Sequence, residues 1–251
     1  MKKFIGCFFI VFIVIGCDVS DSWDCIKSSG DIYQEEISVG FFNKLDVRHR
    51  VQLIVKQGLD QKVILETGKN LSSKINITVQ DSTLRMENDN SCNLSRDYGL
   101  TKVYVTSPDL VEIRNGSGLT VLSEGILEYD RLDLISRKGN IDGEVHNVGD
   151  FELNINVNKL NVTADGNSAF FIKGKAERAF IGFYTGIPRF EGAELTMQEL
   201  KIYHSSSNDI IVNPKQAVRG KLLSVGDLIS LNEPAVVEVE EFWDGRLIFR
   251  E

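Results

Sequence analysis

The second half of the chain repeats a short pattern at intervals of about twenty residues. In each unit an apolar strand is followed by a polar turn and then by a second apolar run. The three clearest units begin at Leu160-Asn-Val162, Phe180-Ile-Gly182 and Leu200-Lys-Ile202, and weaker copies begin at Val111, Leu132 and Leu222. Strand, turn and strand recurring at this period predict a β-solenoid, in which each coil stacks on the previous one. The alternative is an antiparallel sandwich, which also has short strands at regular intervals.

The first half alternates apolar and polar residues over short runs, as strands with one buried face do. Leu45, Val47, Val51, Leu53 and Val55 form the clearest run, and only His49 interrupts it. Turn residues separate this run from the next ones. Alanine occurs only from Ala164 onward, and no amphipathic helix of about ten residues or more is present. We therefore predict an all-β fold in which an N-terminal β segment precedes the solenoid.

The N-terminus reads as a secretory signal that ends in a lipid attachment site. Met1-Lys2-Lys3 precedes an apolar run, and the run ends at Val14-Ile15-Gly16-Cys17, which resembles a bacterial lipobox. The segment 1–16 is the predicted signal peptide, and cleavage before Cys17 would leave this cysteine to carry the lipid. Phe4 to Ile15 is too short to cross about 30 Å of hydrocarbon. The alternative is an ordinary secretory signal with an incidental cysteine.

The residues after the signal predict how the domain is attached. Segment 17–30 is acidic and polar, which suits a solvated tether, and we expect one domain over 31–251. Two cysteines remain besides Cys17, and in an oxidising compartment Cys25 and Cys92 are expected to form a disulfide. Two free buried thiols are the alternative. The predicted location is the cell envelope, with the outer membrane favoured.

The net charge limits the partners of the chain. The formal charge is −8 at pH 7, and loss of Lys2 and Lys3 with the signal makes it more negative. A net-acidic chain without basic clusters is a poor ligand for nucleic acid and is repelled by anionic headgroups. Membrane attachment is therefore expected to depend on the lipid alone.

Several segments resemble one known family along nearly the whole mature chain, from about residue 24 to about residue 230. These segments are Asp24-Cys25-Ile-Lys-Ser-Ser-Gly30, Gly68-Lys-Asn-Leu71, Leu84-Arg-Met-Glu-Asn88, Asn90-Ser-Cys92-Asn93, Val103-Tyr-Val-Thr-Ser-Pro108-Asp-Leu110 and Asn115-Gly-Ser-Gly118. The chain resembles the auto-transporter adhesins with a head GIN domain, which are secreted and usually lipidated. The resemblance implies a right-handed parallel β-helix-like fold and an envelope-associated, adhesin-like module without established chemistry. The chain departs from the pattern between Phe180 and Arg189, which lack a Gly-rich turn, and in the acidic segment from Glu233 to Glu251.

The sequence offers little support for catalysis, metal binding or a cofactor. Three dispersed histidines have no second ligand type at a useful spacing: His49, His146 and His204. Parallel β-helices often cleave polysaccharides with carboxylates from successive coils, so an enzyme of that type is the alternative function. The candidate carboxylates would be Asp142, Glu144, Glu191, Glu194 and Asp209. We expect no enzyme, no metal and no cofactor, and a passive structural envelope protein is a further alternative.

An outward ladder of side chains is the candidate contact site. If Leu160, Phe180 and Leu200 point inward at equivalent positions, the third residue after each one points outward. The predicted ladder consists of Ile135, Thr163, Phe183 and Tyr203. With coils about 4.8 Å apart, these residues would form a continuous stripe that could bind a glycan or a protein at the cell surface. Alternatively the register slips by one residue and the ladder lies in the core, or the N-terminal strands cover it.

Overall fold

The structure, a computed structural model, describes residues 28–90, 99–138 and 147–250. These residues form sixteen β-strands and one short 3-10 turn, Ser72–Lys74. The strands are β1 (Ile32–Glu36), β2 (Lys44–Arg48), β3 (Gln52–Gln57), β4 (Lys62–Gly68), β5 (Ile75–Gln80), β6 (Thr83–Asn88), β7 (Lys102–Ser107), β8 (Glu112–Gly116), β9 (Val121–Ser136), β10 (Phe151–Ala164), β11 (Ala169–Phe183), β12 (Arg189–His204), β13 (Ile210–Leu222), β14 (Leu228–Ser230), β15 (Val236–Glu241) and β16 (Leu247–Phe249).

The long strands β9 to β13 pair in parallel in chain order. When consecutive strands pair in parallel, the chain must return to the end of the sheet where the previous strand began before the next strand can start. Each strand therefore belongs to one coil of the chain. Side-chain hydrogen bonds between successive turns join residues 18 or 19 positions apart. The predicted parallel solenoid is therefore confirmed, and the antiparallel sandwich is wrong for this half of the chain.

Each long strand bends at a corner and so presents two outer surfaces. In β10 the buried residues alternate up to Val157, two exposed residues follow, and alternation resumes at Leu160. The same break occurs in β9 and β11 to β13. Both halves of these strands bury their inward side chains in one hydrophobic core. We call the outer surface of the first halves the first face and that of the second halves the second face.

Rows of identical or similar side chains stack through the core along the solenoid. Phe151 pairs with Phe170 and Phe170 with Phe190, and the rings of the first two lie 4.9 Å apart and nearly parallel. All three phenylalanines are fully buried. Burial of such rings contributes about 1.5–3 kcal/mol each. The repeated sequence pattern thus becomes a repeated packing pattern.

The N-terminal segment extends both halves of the solenoid. Strands β1, β4, β7 and β3 continue the sheet of the first halves, and β5, β6, β2 and β8 continue the sheet of the second halves. The pairs β1–β4, β4–β7 and β5–β6 are antiparallel. The predicted N-terminal β segment is therefore a mixed-sheet extension of the same core.

The acidic C-terminal segment continues the solenoid. Strand β15 pairs in parallel with β13, and β16 pairs with β14. Glu238 and Glu240 of β15 lie beside Arg219 and Lys221 of the preceding coil, at 2.9 and 3.6 Å. Charged residues on a terminal strand also discourage pairing with another chain. The acidity that departs from the family pattern thus lies largely in β15, the edge strand beside β13.

Among the described residues, no helix has the length and apolar character that a membrane span requires. The boundaries predicted for the signal peptide and most of the tether fall on residues 1–27, outside the described ranges. Those boundaries therefore stay predictions.

Candidate functional site

The register between coils differs from the predicted one at Phe180. Leu160 pairs with Ala179, and Ala179 pairs with Leu200, so Ala179 holds the inward position. Phe180 pairs with Asn161 and Lys201, whose side chains are on the outer surface. A slip of one residue sends every side chain of a strand to its opposite face. The predicted equivalence of Leu160, Phe180 and Leu200 is therefore wrong for Phe180.

The same slip moves Phe183 from the surface to the core. Phe183 pairs with Ala164 and His204 and is fully buried. Its ring centroid lies 5.9 Å from that of Phe170 and 6.2 Å from that of His204. The placement of Phe183 in an exposed ladder is thus corrected: it is a core residue.

The other three ladder residues do share one outward row. Ile135 pairs with Thr163, Thr163 with Gly182, and Gly182 with Tyr203. Tyr203 is 37% exposed, while Ile135 and Thr163 are half-buried. Gly182 interrupts the predicted stripe where an aromatic residue was expected. The proposed ligand contact of this row stays a prediction.

Gly182 makes room for the ring of Phe180. A Cβ atom at Gly182 would lie 2.8 and 2.9 Å from two edge carbons of Phe180 and 3.1 Å from the Tyr184 hydroxyl. The tip of the Phe180 ring therefore lies over the bare backbone of Gly182. The ring of Tyr184 is in turn 5.3 Å from that of Tyr203. The second face thus carries an aromatic surface formed by Phe180, Tyr184 and Tyr203.

A shallow groove of about 400 Å³ lies beside this aromatic surface. We call it the basic groove, because four cationic side chains and one carboxylate line it. Its charged and polar lining, around Phe180, is Lys159, Asn161, Arg178, Glu199, Lys201 and Arg219. These residues come from four successive coils. The groove therefore crosses the strands and runs along the direction in which the coils stack.

Most of the cations in the basic groove have no carboxylate partner. Within the described ranges, Lys159, Arg178 and Lys201 take part in no ion pair, while the Arg219 Nε atom lies 2.9 Å from a Glu238 oxygen. The nearby Asp133 is already bound, because Arg131 donates two hydrogen bonds to it and Asn161 donates a third at 2.7 Å. The groove thus carries uncompensated positive charge on an acidic protein.

The first face carries a second groove, of about 440 Å³ and with the opposite charge. We call it the acidic groove. Its lining includes Phe171, Lys173, Glu152, Glu191 and Glu194. The Arg189 guanidinium lies 5.3 Å from the Phe171 ring centroid and 3.5 Å from a Glu191 oxygen. The exposed ring of this groove is therefore already covered by a cation of the same chain.

The candidate catalytic carboxylates are not brought together as a set. Glu191 and Glu194 line the acidic groove, whereas Asp209 lies in a turn where one of its oxygens accepts a hydrogen bond from the Asp227 backbone N–H at 2.9 Å. Asp142 and Glu144 lie outside the described residues. Asp209 therefore has a structural role in joining successive turns.

The histidines have different environments. His204 is buried in the core, where desolvation lowers its pKa to about 4. His49 follows β2, and its Nδ1 atom is 3.4 Å from a Glu87 oxygen. Donor atoms of His49, Glu87 and Asp89 all lie within 4.8 Å of one another, so these three residues could hold a divalent cation. His146 lies outside the described residues.

The His49 cluster could not be found from sequence spacing alone. Its residues come together because β2 pairs in parallel with β6, a partner far away in the chain. The Asn76 amide donates a 2.6 Å hydrogen bond to Asp89, which already fixes that carboxylate. The cluster therefore consists of side chains in close contact across neighbouring strands, with a donor set of the kind that binds metals.

Cys17, Cys25 and Cys92 lie outside the described residues. Lipidation at Cys17 and the Cys25–Cys92 disulfide stay predictions.

The family model that matches this chain covers residues 41–234 and is described as "Putative auto-transporter adhesin, head GIN domain". This range includes most of the described solenoid and both grooves. The chain belongs to that family, and the resemblance noted in the sequence is confirmed. No curated protein matches the chain.

Solved structures share the fold at low sequence identity. A protein from Bacteroides fragilis titled a putative adhesin has a TM-score of 0.76 and 21% identity, and the match covers 88% of this chain and 97% of that one. A putative lipid binding protein from Parabacteroides distasonis has a TM-score of 0.63 and 13% identity, with 88% and 98% covered. A putative adhesin from Parabacteroides merdae has a TM-score of 0.60 and 15% identity, with 88% and 97% covered. At these identities the likeness establishes the fold.

Proposed function

We propose that this chain is a lipid-anchored, non-catalytic, adhesin-like protein of the cell envelope, and that the second face of its solenoid is the contact surface. The observation that carries the proposal is the basic groove beside Phe180. The cations around this half-buried aromatic ring form no ion pair within the protein that would explain their clustering, and they are free to bind a ligand. Membership of an adhesin family supports the same reading.

Binding rather than catalysis fits the arrangement of the carboxylates. Glycoside hydrolysis requires two carboxyl groups held on either side of one bond. In the acidic groove, Glu191 already forms an ion pair with Arg189, and Asp209 holds a turn elsewhere. Cleavage of an envelope or host glycan that disappears on Glu191→Gln would favour a polysaccharide-degrading enzyme and contradict the proposal.

The proposed attachment consists of a lipid on Cys17, the acidic tether 17–30 and a Cys25–Cys92 disulfide that fastens the tether to the domain. In this arrangement the solenoid is held outside the membrane, and the outer membrane is the proposed location. Replacement of Cys17 by Ser should abolish incorporation of labelled palmitate and release the chain from the membrane fraction. A Cys7→Ser variant is the matched control, because Cys7 is removed with the signal.

The binding function is tested by applying the purified, labelled chain to an array of envelope and host glycans and proteins. We expect binding to at least one class, with loss on Phe180→Ala and retention on Phe171→Ala. Phe171 is the matched control because it is an exposed phenylalanine of the same strand on the first face. Lack of any signal over the whole array would instead indicate a passive structural protein.

A further inference from the structure

We infer that the basic groove binds an anionic polysaccharide, a chain of sugars that carry carboxylate groups. The inference rests on the proposed function and names the ligand class of the same surface. Three features of the groove lead to it: its charge, its aromatic and amide groups, and the direction in which it runs.

The charge of the groove selects for an anion. Lys159, Arg178 and Lys201 have no ion-pair partner among the described residues, and only Glu199 brings a carboxylate into the lining. Arginine and lysine side chains form strong charge-assisted hydrogen bonds with carboxylates. These cations are therefore available to form ion pairs with an anionic ligand.

Phe180 and Asn161 select for a sugar. The apolar C–H face of a pyranose ring packs against an aromatic ring, and Phe180 is held in place for this by Gly182. Asn161 is its neighbour in the preceding coil, and the donation from its amide nitrogen to Asp133 leaves its carbonyl oxygen as an acceptor for a hydroxyl group. An aromatic ring beside a fixed amide suits a ligand that has both an apolar face and hydroxyl groups.

The direction of the groove selects for a chain. Lys201 and Arg219 are paired neighbours on successive coils, and so are Lys159 and Arg178. Successive coils are about 4.8 Å apart, close to the length of one sugar unit in an extended polysaccharide. Each of the four coils therefore contributes one cation to the groove, although the row of Lys159 and Arg178 continues with Glu199 and the next two cations lie in the adjacent row. One cation per coil corresponds to the one carboxylate per sugar unit of a uronic acid chain.

Other polyanions and an added peptide strand fit this surface less well. The net charge of −8 opposes the approach of any polyanion, but nucleic acids and anionic membranes present dense charge over a wide area and so also meet the acidic surface outside the groove. A peptide strand cannot add to the sheet here, because β10, β11 and β12 are paired on both sides. A single charged chain lying in a narrow groove avoids both difficulties.

The test measures binding of galacturonic acid oligomers to the purified chain by calorimetry, with the methyl-esterified oligomer as the uncharged analogue. We expect the acid form to bind and the ester to bind at least about tenfold more weakly, because loss of charge removes the charge-assisted bonds. Added salt should weaken binding of the acid form. Equal binding of acid and ester would overturn the inference.

Variants locate the site. Phe180→Ala and Arg178→Gln should each weaken binding by about tenfold. The matched controls are Phe171→Ala and Lys175→Gln, which remove an aromatic ring and one positive charge, respectively, from the first face of the same strand and should leave binding unchanged. Equal weakening by the controls would place the ligand elsewhere and overturn the assignment.

Gly182→Ala tests the role of the Phe180 ring without removing any group from the groove. The added methyl group would lie within 3.0 Å of the ring edge and displace it, while the fold should tolerate the change because the displaced atoms belong to a movable side chain. We expect several-fold weaker binding at unchanged unfolding temperature. Unchanged affinity although NMR spectra show a displaced Phe180 ring would contradict the role of this ring in binding.

The inference and the proposed function can fail separately. If the array shows binding to a neutral glycan or a protein that depends on Phe180, while galacturonic acid oligomers do not bind, the ligand class is wrong and the binding function stands. If anionic vesicles or DNA bind as well as the oligomer does, specific recognition of a carboxylated sugar is also wrong. If nothing on the array binds, both are wrong.

Discussion

Strand β11 presents one phenylalanine on each face of the solenoid, and the two have opposite surroundings. Phe171 pairs with Glu152 and Glu191, in the acidic groove. Phe180 pairs with Asn161 and Lys201, in the basic groove. The rings belong to one strand and one coil, so their different environments come from the neighbouring coils. A solenoid can therefore build two independent surfaces from the same repeat.

The two grooves also differ in how far other side chains of the protein occupy their aromatic ring and charged groups. Arg189 covers the Phe171 ring and forms an ion pair with Glu191. No cation lies over the Phe180 ring among the described residues, and three nearby cations have no ion-pair partner there. The aromatic ring of the first face is thus already covered by a cation of the chain, and that of the second face is not, although Lys173, Glu152 and Glu194 of the acidic groove also take part in no ion pair among the described residues. Uncompensated charge beside an aromatic ring is the stronger indication of a binding site.

The largest expected effect separates the core from the second face. Phe183→Ala should lower the free energy of unfolding by about 3–5 kcal/mol, because it removes a fully buried ring that contacts Phe170. Phe180→Ala should lower it by about 1 kcal/mol or less, because this ring is only half-buried. Urea titration measures both. If both variants lower the free energy of unfolding by a similarly small amount, Phe183 does not lie in the core as the strand register indicates.

The sequence predicts the solenoid but not the register within it. Repeats that begin at Leu160, Phe180 and Leu200 suggest a constant period, yet the inward positions are Leu160, Ala179 and Leu200. The irregularity has a physical cause: β12 has one more residue than β11 between their paired positions near Glu191 and Leu195, which is a β-bulge. The bulge lengthens the coil from Ala179 to Leu200 to 21 residues, whereas the coil from Leu160 to Ala179 has 19.

Hydrophobicity hides this irregularity, because Phe180 is more apolar than its neighbour Ala179. A pattern read from hydrophobicity therefore assigns the core position to phenylalanine and sends Phe183 outward. A glycine at position 182, in the middle of a strand, could have indicated that a large side chain packs over the backbone there. The charge of the groove was not predictable, because Lys159, Arg178 and Lys201 come together only through the interstrand register.

A second prediction concerns the core behind the second face, where His204 pairs with Phe183. Burial lowers the pKa of His204 from 6.5 to about 4, so the unfolded chain takes up the proton first as the pH falls. Above pH 6.5 His204 is neutral in both the folded and the unfolded chain, and the free energy of unfolding is not reduced. Between pH 6.5 and pH 4 the free energy of unfolding should fall by about 3 kcal/mol. Unfolding titrations at a series of pH values measure the slope.

His204→Leu should remove this part of the pH dependence, because leucine already occupies the next position of the row at Leu222. Leu222→Val is the control, since it changes the neighbouring core residue of the same row without removing a titratable group. If the slope of His204→Leu equals that of the unmodified chain, other groups cause the acid sensitivity. Binding titrations on the same variants show whether any loss of oligomer binding in acid accompanies unfolding or instead reflects protonation of the ligand's carboxylates, since Lys and Arg stay charged in acid.

The smallest expected effect is a gain of affinity. Glu238 compensates Arg219 at the end of the basic groove, through a pair that is 44% and 64% exposed at its two side chains. Glu238→Gln should free Arg219 and strengthen binding of galacturonic acid oligomers by about two- to threefold, while stability changes by less than about 1 kcal/mol. The matched control is Glu36→Gln, which breaks an ion pair of the same 2.9 Å length and similar exposure with Lys62. Because both changes remove one negative charge from the whole protein, only a local effect can raise affinity in one variant and not in the other. Equal gains in both would mean that net charge, and not the basic groove, controls binding.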